Sequence, residues 1–332
     1  MSRAAEISSL SNLDTAALAT AAAAAEARGH AAGLIAIGGE LERRQIFGEA
    51  WRLLAIGSEL AKPPELPLWD GKSKAGDTLL VRRKIRHLGA ELRMARFIVP
   101  AQKLAESVIV AAEERLVPLL ARTYPEVEVI PLGSARISQA TIEASYERLA
   151  FFHGSTADDI ESLFRPLRLA AHGKPATGTI GLSWYSSNSR KPLPTLDDWC
   201  TALGVSDLRF VSLQYSEQEA GLGTLDAALS NGLMPSAPVD QMVDIEGFCA
   251  QVAALAGVLT ISNTTAHVAG MLGVPCIVLL DDFQHLTWPS NSDRSAFYPN
   301  LRTLRQGGRK WTAVISDGLR RLNELIDEAG PA

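Results

Sequence analysis

Between Val258 and Leu280 the chain reads VLTISNTTAHVAGMLGVPCIVLL, and few folds accommodate such a stretch. Val258–Ile261 and Pro275–Leu280 are short apolar runs with a polar turn and a short helical pattern between them. That order predicts strand, turn, helix, strand, the βαβ unit of a parallel sheet. Ser262, Asn263, Thr264 and Thr265 are residue types that cap helix N-termini, and Gly273 closes the helix. In a parallel sheet such a turn lies beyond the carboxyl end of a strand, where helix amides and the positive end of the helix dipole hold a phosphate. The same residues also serve as plain caps, so two readings stand at this point.

The unit has company. Thr78–Val81, Ser107–Ala112 and Val127–Pro131 read as strands, with helices over Glu91–Glu106 and Glu114–Thr123. A second series has strands at Thr179–Trp184, Arg209–Gln214, Met242–Ile245, Val258–Ile261 and Cys276–Leu280, with helices that include Leu196–Leu203 and Gly247–Ala256. Alternation of this kind predicts parallel sheets covered by helices. At 332 residues the chain exceeds the usual size of one core, so two such series imply two Rossmann-like lobes whose carboxyl strand edges face a cleft. A hinge near His172–Gly178 would separate them.

Ahead of the lobes, residues up to about Leu60 contain no convincing strand and read as three or four helices. From Leu34 the pattern is one tetratricopeptide-like unit, with Gly38 and Leu41 in the first helix, Ala50, Leu54 and Gly57 in the second, and Lys62–Pro63 as a stop. A single unit cannot bury its own apolar face and must dock on the body of the protein or on a partner. AKPPELPLWDGKSKAGD then reads as a linker. The expected domains are therefore a helical segment over 1–63, a first lobe over 64–174 and a second over 175–332.

Composition narrows the partners. A formal charge of -5 argues against nucleic acid, and the one basic cluster, Arg82–His87, is too local for a duplex-binding stripe. No segment approaches the ~20 apolar residues of a membrane span. The alanine run AALATAAAAAEARG reads as an ordinary helix, since Glu6 and Asp14 precede it. Cys200, Cys249 and Cys276 have no metal-ligand spacing and suit a reducing compartment, which places the protein in the cytoplasm.

With these motifs in place, the chain resembles the heptosyltransferase-like glycosyltransferases, family nine, in the bacterial branch that carries tetratricopeptide helices before the catalytic part. The SNTTAH turn, the strand GLSW, SLQ at Ser212–Gln214, and the tail around Trp288, Asp293, Tyr298, Pro299, Arg305 and Gln306 carry the resemblance in the second lobe. LPLWDGKSKAGDTLLV and ERLVPLLARTYPEVEVIP carry it in the first. It implies the α/β GT-B fold, a nucleotide-sugar donor bound by the second lobe, and an acceptor entering from the first. It implies inversion by direct displacement, with no metal and no cofactor beyond the donor itself. An acceptor hydroxyl on a surface or flagellar protein is the further expectation. No oligomeric state follows from the sequence.

The candidate donor-binding residues are Ser186, Ser187, Asn188, Arg190 and Lys191 in the loop after GLSW, then Gln214, Asp244, Ser262, Asn263, Thr264, Thr265 and His267. The loop hydroxyls and amide would bond the sugar and phosphates, and the two cations would neutralise a departing diphosphate. Gln214 would read the base or ribose, and Asp244 the ribose hydroxyls, although Asp244 or Glu246 equally suits a helix cap. His267 either faces the phosphates or packs in the core.

One departure is consequential. Members of the family carry a loop like EQGLGD after the first strand, and its aspartate is the usual candidate for the base. Here the segment is RRKIRHLGAEL: Gly89 is kept and Ala90 stands in the aspartate's place. Glu91 and His87 are the substitutes within reach. A non-catalytic interaction protein that keeps the two-lobed fold is therefore the rival reading.

Overall fold

The computed structural model describes residues 10–72, 74–83, 87–170, 176–186, 192–215, 221–234, 239–282 and 287–329. The chain divides into two compact units, Met1–Arg165 with Gln284–Ser292, and Pro166–Phe283 with Asp293–Ala332. The division falls at Arg165/Pro166, ahead of the expected hinge, and residues 172–175 of that hinge lie outside the described residues.

The first unit opens with three helices, α1 (Thr15–Ala27), α2 (Ala31–Arg43) and α3 (Phe47–Ala61). The small residues noted above are what let α2 and α3 pack. A Cβ at Gly38 would lie 2.8 Å from Leu54 Cγ, and one at Gly57 would lie 2.9 Å from Ile35 Cγ1. Early α2 thus meets late α3, so the pair is antiparallel. Leu18, Leu34, Ile37, Leu41 and Leu53 form its core, each such fully buried side chain contributing about 1.5–3 kcal/mol.

The helices are not a separate body. Trp51 of α3 meets Phe97 edge to face at 6.2 Å, and Glu59 pairs with Arg148 at 2.7 Å. The expected linker is also part of the packing. Trp69 is buried against Phe152 and His153, and Leu68 makes a parallel bridge to Glu143, whose carboxylate accepts the Glu65 and Leu66 amides. A buried indole and an edge pairing hold a segment that its prolines and glycines alone would mark as loose.

The first sheet has strands β1 (Lys74–Arg82), β2 (Ala105–Ala112), β3 (Glu128–Pro131) and β4 (Ile142–Ser145), all parallel in the order β3-β2-β1-β4. The helix expected over Glu91–Glu106 is shorter and earlier: α4 (Leu88–Met94) passes into a 3-10 turn and one further turn at Ile98–Ala101. Pro100 and the start of β2 at Ala105 account for the stop. α5 (Val117–Thr123), α6 (Tyr146–His153) and α7 (Ala157–Ser162) complete the unit.

The second sheet has six strands: β5 (Ala176–Ser183), β6 (Arg209–Ser212), β7 (Leu255–Ile261), β8 (Cys276–Leu280), β9 (Arg294–Ser295) and β10 (Tyr298–Arg305). Their order is β6-β5-β7-β8-β10-β9, parallel except for β9 with β10. Helices α8 (Leu196–Leu203), α9 (Leu222–Ala228), α10 (Ile245–Ala253), α11 (Thr264–Leu272) and α12 (Trp311–Ala329) accompany it. Gly318 lets α12 lie on the sheet, since a Cβ there would stand 2.9 Å from Leu279. The strand expected over Met242–Ile245 is instead a turn leading into α10; Met242 and Val243 are 61% and 70% exposed, and the apolar run is too short to enter the sheet.

From β5 the chain winds outward to β6 and then returns to place β7 and β8 on the other side. The topological switch point therefore falls between β5 and β7, and ligands of doubly wound sheets bind beyond the carboxyl ends of the strands there.

Candidate functional site

Ser183 and Thr260 are register partners at the carboxyl ends of β5 and β7. Both are buried polar residues in otherwise apolar runs. Asn263 follows at the N-cap of α11, with extended backbone, yet its side chain makes no capping bond. Its Nδ2 donates to Ser183 Oγ at 2.8 Å and its Oδ1 lies 3.2 Å from Thr260 Oγ1. Asparagine at this position ordinarily satisfies a first-turn amide and is worth about 1 kcal/mol. Here that bond is not made, and the amino end of α11 is left without a side-chain cap.

Thr264 and Thr265 occupy the first turn. Thr265 is 2% exposed, Thr264 is half-buried, and neither hydroxyl has a hydrogen-bond partner among the described residues. Helical Cα–Cβ bonds lean toward the N-terminus, so both side chains start toward the uncapped end. Gly273 ends α11 at φ 78, as its place in the sequence implies. An uncapped helix end at a switch point, fronted by two unpaired hydroxyls, is chemically suited to an anion with several acceptor oxygens.

The neighbouring strand ends are locked. Gln214 is buried and its Oε1 accepts the Trp184 and Tyr185 amides at 2.9 and 2.8 Å, while its Nε2 donates to the Tyr185 and Tyr215 carbonyls. All of its polar capacity goes to the chain, so it holds the loop after β5 and is not free to read a base. Ser186 in that loop is half-buried and already engaged. Ser187, Asn188, Arg190 and Lys191 lie outside the described residues.

Two other candidates have structural employment. Asp244 is the N-cap of α10 and accepts the Gly247 amide at 2.8 Å, so the capping alternative describes it; Glu246 accepts the Ala170 amide at 3.1 Å. His267 is buried with Nδ1 2.8 Å from Tyr298 Oη, and a Cβ at Gly270 would collide with that tyrosine ring at 2.6 Å. It sits in the packing between α11 and β10. Ser262 is half-buried and engaged.

In the first unit, Ala90 lies in the first turn of α4 as expected. Glu91 is buried, paired with Arg83 at 2.7 Å, and accepts the Glu113 amide at 3.0 Å. Burial raises its carboxyl above the ordinary range and Arg83 opposes the rise. A carboxylate enclosed in this way ties the residues following β1 and β2 together. His87, at the N-cap of α4, is exposed. Of the two substitutes, the histidine alone is open to solvent.

Sequence reasoning passed over Ser183 and Thr260. Their signal was present as a polar residue interrupting an apolar strand run beside its end.

No protein-family profile matches the chain. It is 25% identical over 271 residues to the protein FlbA of Caulobacter vibrioides, a match that takes in 70% of this chain and 45% of FlbA. The chain thus spans less than half the length of that relative. Among solved structures, the glycosyl transferase family 9 protein of Veillonella parvula DSM 2008 superposes with a TM-score of 0.52 at 12% identity, over 76% of this chain and 98% of that one. TibC of enterotoxigenic E. coli, an iron-containing dodecameric heptosyltransferase solved in complex with ADP-D-beta-D-heptose, gives 0.50 at 10% identity, over 77% of this chain and 78% of its own. The shared fold is the α/β architecture of these glycosyltransferases, with parallel Rossmann-like sheets preceded here by helices.

Proposed function

We propose that the chain transfers a sugar from a nucleoside-diphosphate sugar to an acceptor hydroxyl, with the donor's diphosphate on the amino end of α11. The observation that carries this reading is the uncapped turn at the switch point, where Thr265 is buried with an unpaired hydroxyl. The nucleotide-sugar in the TibC complex, on a similar fold, favours the same class of donor.

In the reaction, the acceptor oxygen attacks the anomeric carbon as the bond to the diphosphate oxygen breaks, and the nucleoside diphosphate departs with the bonding pair. The anomeric configuration inverts. Thr264, Thr265 and the α11 amides bond the charge that develops on the leaving oxygen, an electrostatic contribution realised most fully in the transition state. Arg190 and Lys191 are the proposed cationic partners. His87 takes the acceptor proton in place of the aspartate absent at Ala90. Asp244, Gln214 and His267 support the site through the backbone and packing.

The acceptor is proposed to be a protein, met in the cytoplasm, with the tetratricopeptide-like α2–α3 pair as the element nearest in kind to a protein-docking unit. No metal enters the step as drawn. Because TibC is iron-containing, the assay is run after chelation and again with added iron; activity that appears only with iron would overturn a metal-free reaction.

The decisive experiment is thermal unfolding and calorimetry against a panel of nucleoside diphosphates and their sugars. A ligand at ~100 times its dissociation constant adds ~2.7 kcal/mol. A selective shift, followed by release of nucleoside diphosphate in the presence of acceptor, is the expected result. Ala90 and the enclosure of Glu91 favour the second reading, a binding protein without transfer. Binding without turnover in any acceptor extract supports that one, and absence of binding overturns both.

A further inference from the structure

Asn263 has the residue type and the position of a helix cap, and its side chain is turned elsewhere. We propose that Ser183 and Thr260 are positioning residues: they hold the Asn263 carboxamide off α11 and so keep the first-turn amides open for the phosphates of the donor. The inference rests on the reading of this turn as the nucleotide-sugar site and adds to it the device that keeps the turn unoccupied by the protein itself.

The geometry is a relay across three strand ends. Asn263 Nδ2 donates to Ser183 Oγ at 2.8 Å, and Ser183 Oγ lies 3.4 Å from Gln214 Oε1, which also receives the Trp184 and Tyr185 amides. On the other side, the Thr260 hydroxyl faces Ser183 O at 3.1 Å and Asn263 Oδ1 at 3.2 Å. Ser183 and Thr260 are both fully buried and hold a half-buried Asn263, so one side of each bond is shielded from water. The Thr260 proton is shared with the Ile261 carbonyl at 3.1 Å, so the firmer tether is the bond from Nδ2 to Ser183, which turns the carboxamide away from the first-turn amides. Thr265 supplies an observation independent of this relay: a residue 2% exposed in the same first turn whose hydroxyl has no partner among the described residues. Its hydroxyl is not one of the fully buried polar atoms, so it remains open to a ligand that meets this turn.

Without the relay, the carboxamide is expected to swing back and cap the helix, since capping is the preferred use of asparagine at this position. The protein would then compete with its own ligand for the same amides.

The test compares wild type, Ser183→Ala and the double variant Ser183→Ala/Asn263→Ala, with ADP as the probe. In the absence of nucleotide, hydrogen exchange of a peptide covering Asn263–His267 is expected to slow in Ser183→Ala, as the carboxamide protects a first-turn amide, and to return to the wild-type rate in the double variant. ADP affinity is expected to fall about five- to tenfold in Ser183→Ala and to recover in the double variant, where no cap remains. Recovery on removing a second side chain is not the behaviour of a merely structural serine, whose loss the further truncation would only worsen. Unchanged exchange in Ser183→Ala overturns the positioning role whatever the nucleotide does. The expected exchange pattern in a protein that binds no nucleoside diphosphate would instead overturn the reading of the site, leaving the open cap without the ligand proposed for it.

Discussion

The carboxyl edges of the two sheets begin from the same topology and finish differently. Beyond the first sheet, charge is enclosed and answered: Arg83 by Glu91, Arg82 by Glu143, Arg93 by Glu42. Beyond the second, the Thr264 and Thr265 hydroxyls have no partner among the described residues and a helix end is left uncapped. Removing one partner of a buried ion pair strands the other charge, whereas a hydroxyl that makes no bond to its own chain costs the fold little to lose and is available to a ligand. The contrast divides the molecule into an edge whose charges serve its own packing and an edge whose polar groups are available to a substrate.

The sharpest way to break the contrast is Glu91→Ala. Removing one partner of a pair this enclosed leaves Arg83 buried and uncompensated, and the expected loss is about 3–5 kcal/mol in denaturant unfolding. A loss of transfer without a loss of stability would instead return Glu91 to candidacy as the base. His87→Ala is the complement: stability within about 0.5 kcal/mol of wild type, with the transfer rate reduced about 10²-fold or more if the exposed histidine accepts the acceptor's proton. Next comes Gln214→Ala, which orphans the Trp184 and Tyr185 amides together and is expected to cost about 2–3 kcal/mol, with a smaller apparent affinity for nucleotide because the loop after β5 loses its anchor.

A gentler probe is pH. Burial raises the carboxyls of Glu42 and Glu147 above the ordinary glutamate value of 4.5; Arg93 opposes the rise for Glu42, and the Glu147 amide and Ser145 oppose it for Glu147. The native state therefore binds more protons than the unfolded chain, and this part of the stability is complete below about 4.5 and lost as pH rises through the elevated native values. Melting curves from pH 5 to 8 should show a decline that Glu147→Gln flattens. The smallest effect belongs to the second sheet. Thr265→Val removes a hydroxyl that has no partner among the described residues, so unfolding should change by no more than about 0.5 kcal/mol while the nucleotide-induced shift shrinks.

Elements with local signals were legible in the sequence. The βαβ unit at Val258–Leu280 and the helix Leu196–Leu203, which follows a Thr195–Asp198 capping box, needed only their own residues to be found. β4 was not legible, because four residues of mixed polarity become a strand only beside β1 and the chain at Leu68. β10 was missed because Tyr298–Arg305 carries a proline and charged residues; Pro299 lies ahead of the Leu301–Arg305 stretch that pairs with β8, and the strand is specified by its pairing with β8 and β9. The candidate site divides in the same way. The turn at Ser262–Thr265 was visible, but the choice Asn263 makes between its own helix and a serine 80 residues earlier is a tertiary fact. Asp244 and Gln214 had polar atoms suited to a nucleotide, and only the structure shows those atoms already committed.

The segment Gln284–Ser292 belongs to the first unit although the second surrounds it in sequence. Ser290 and Asn291 donate to the Arg43 and Arg44 carbonyls just where α2 gives way to Gln45 at φ 61. During synthesis, that helix end must therefore wait for residues 247 positions further along to leave the ribosome before its last acceptors are met. A cut at Pro166 would yield an amino-terminal fragment lacking its own closing piece, and the two fragments should recover the native helical hairpin only by complementation.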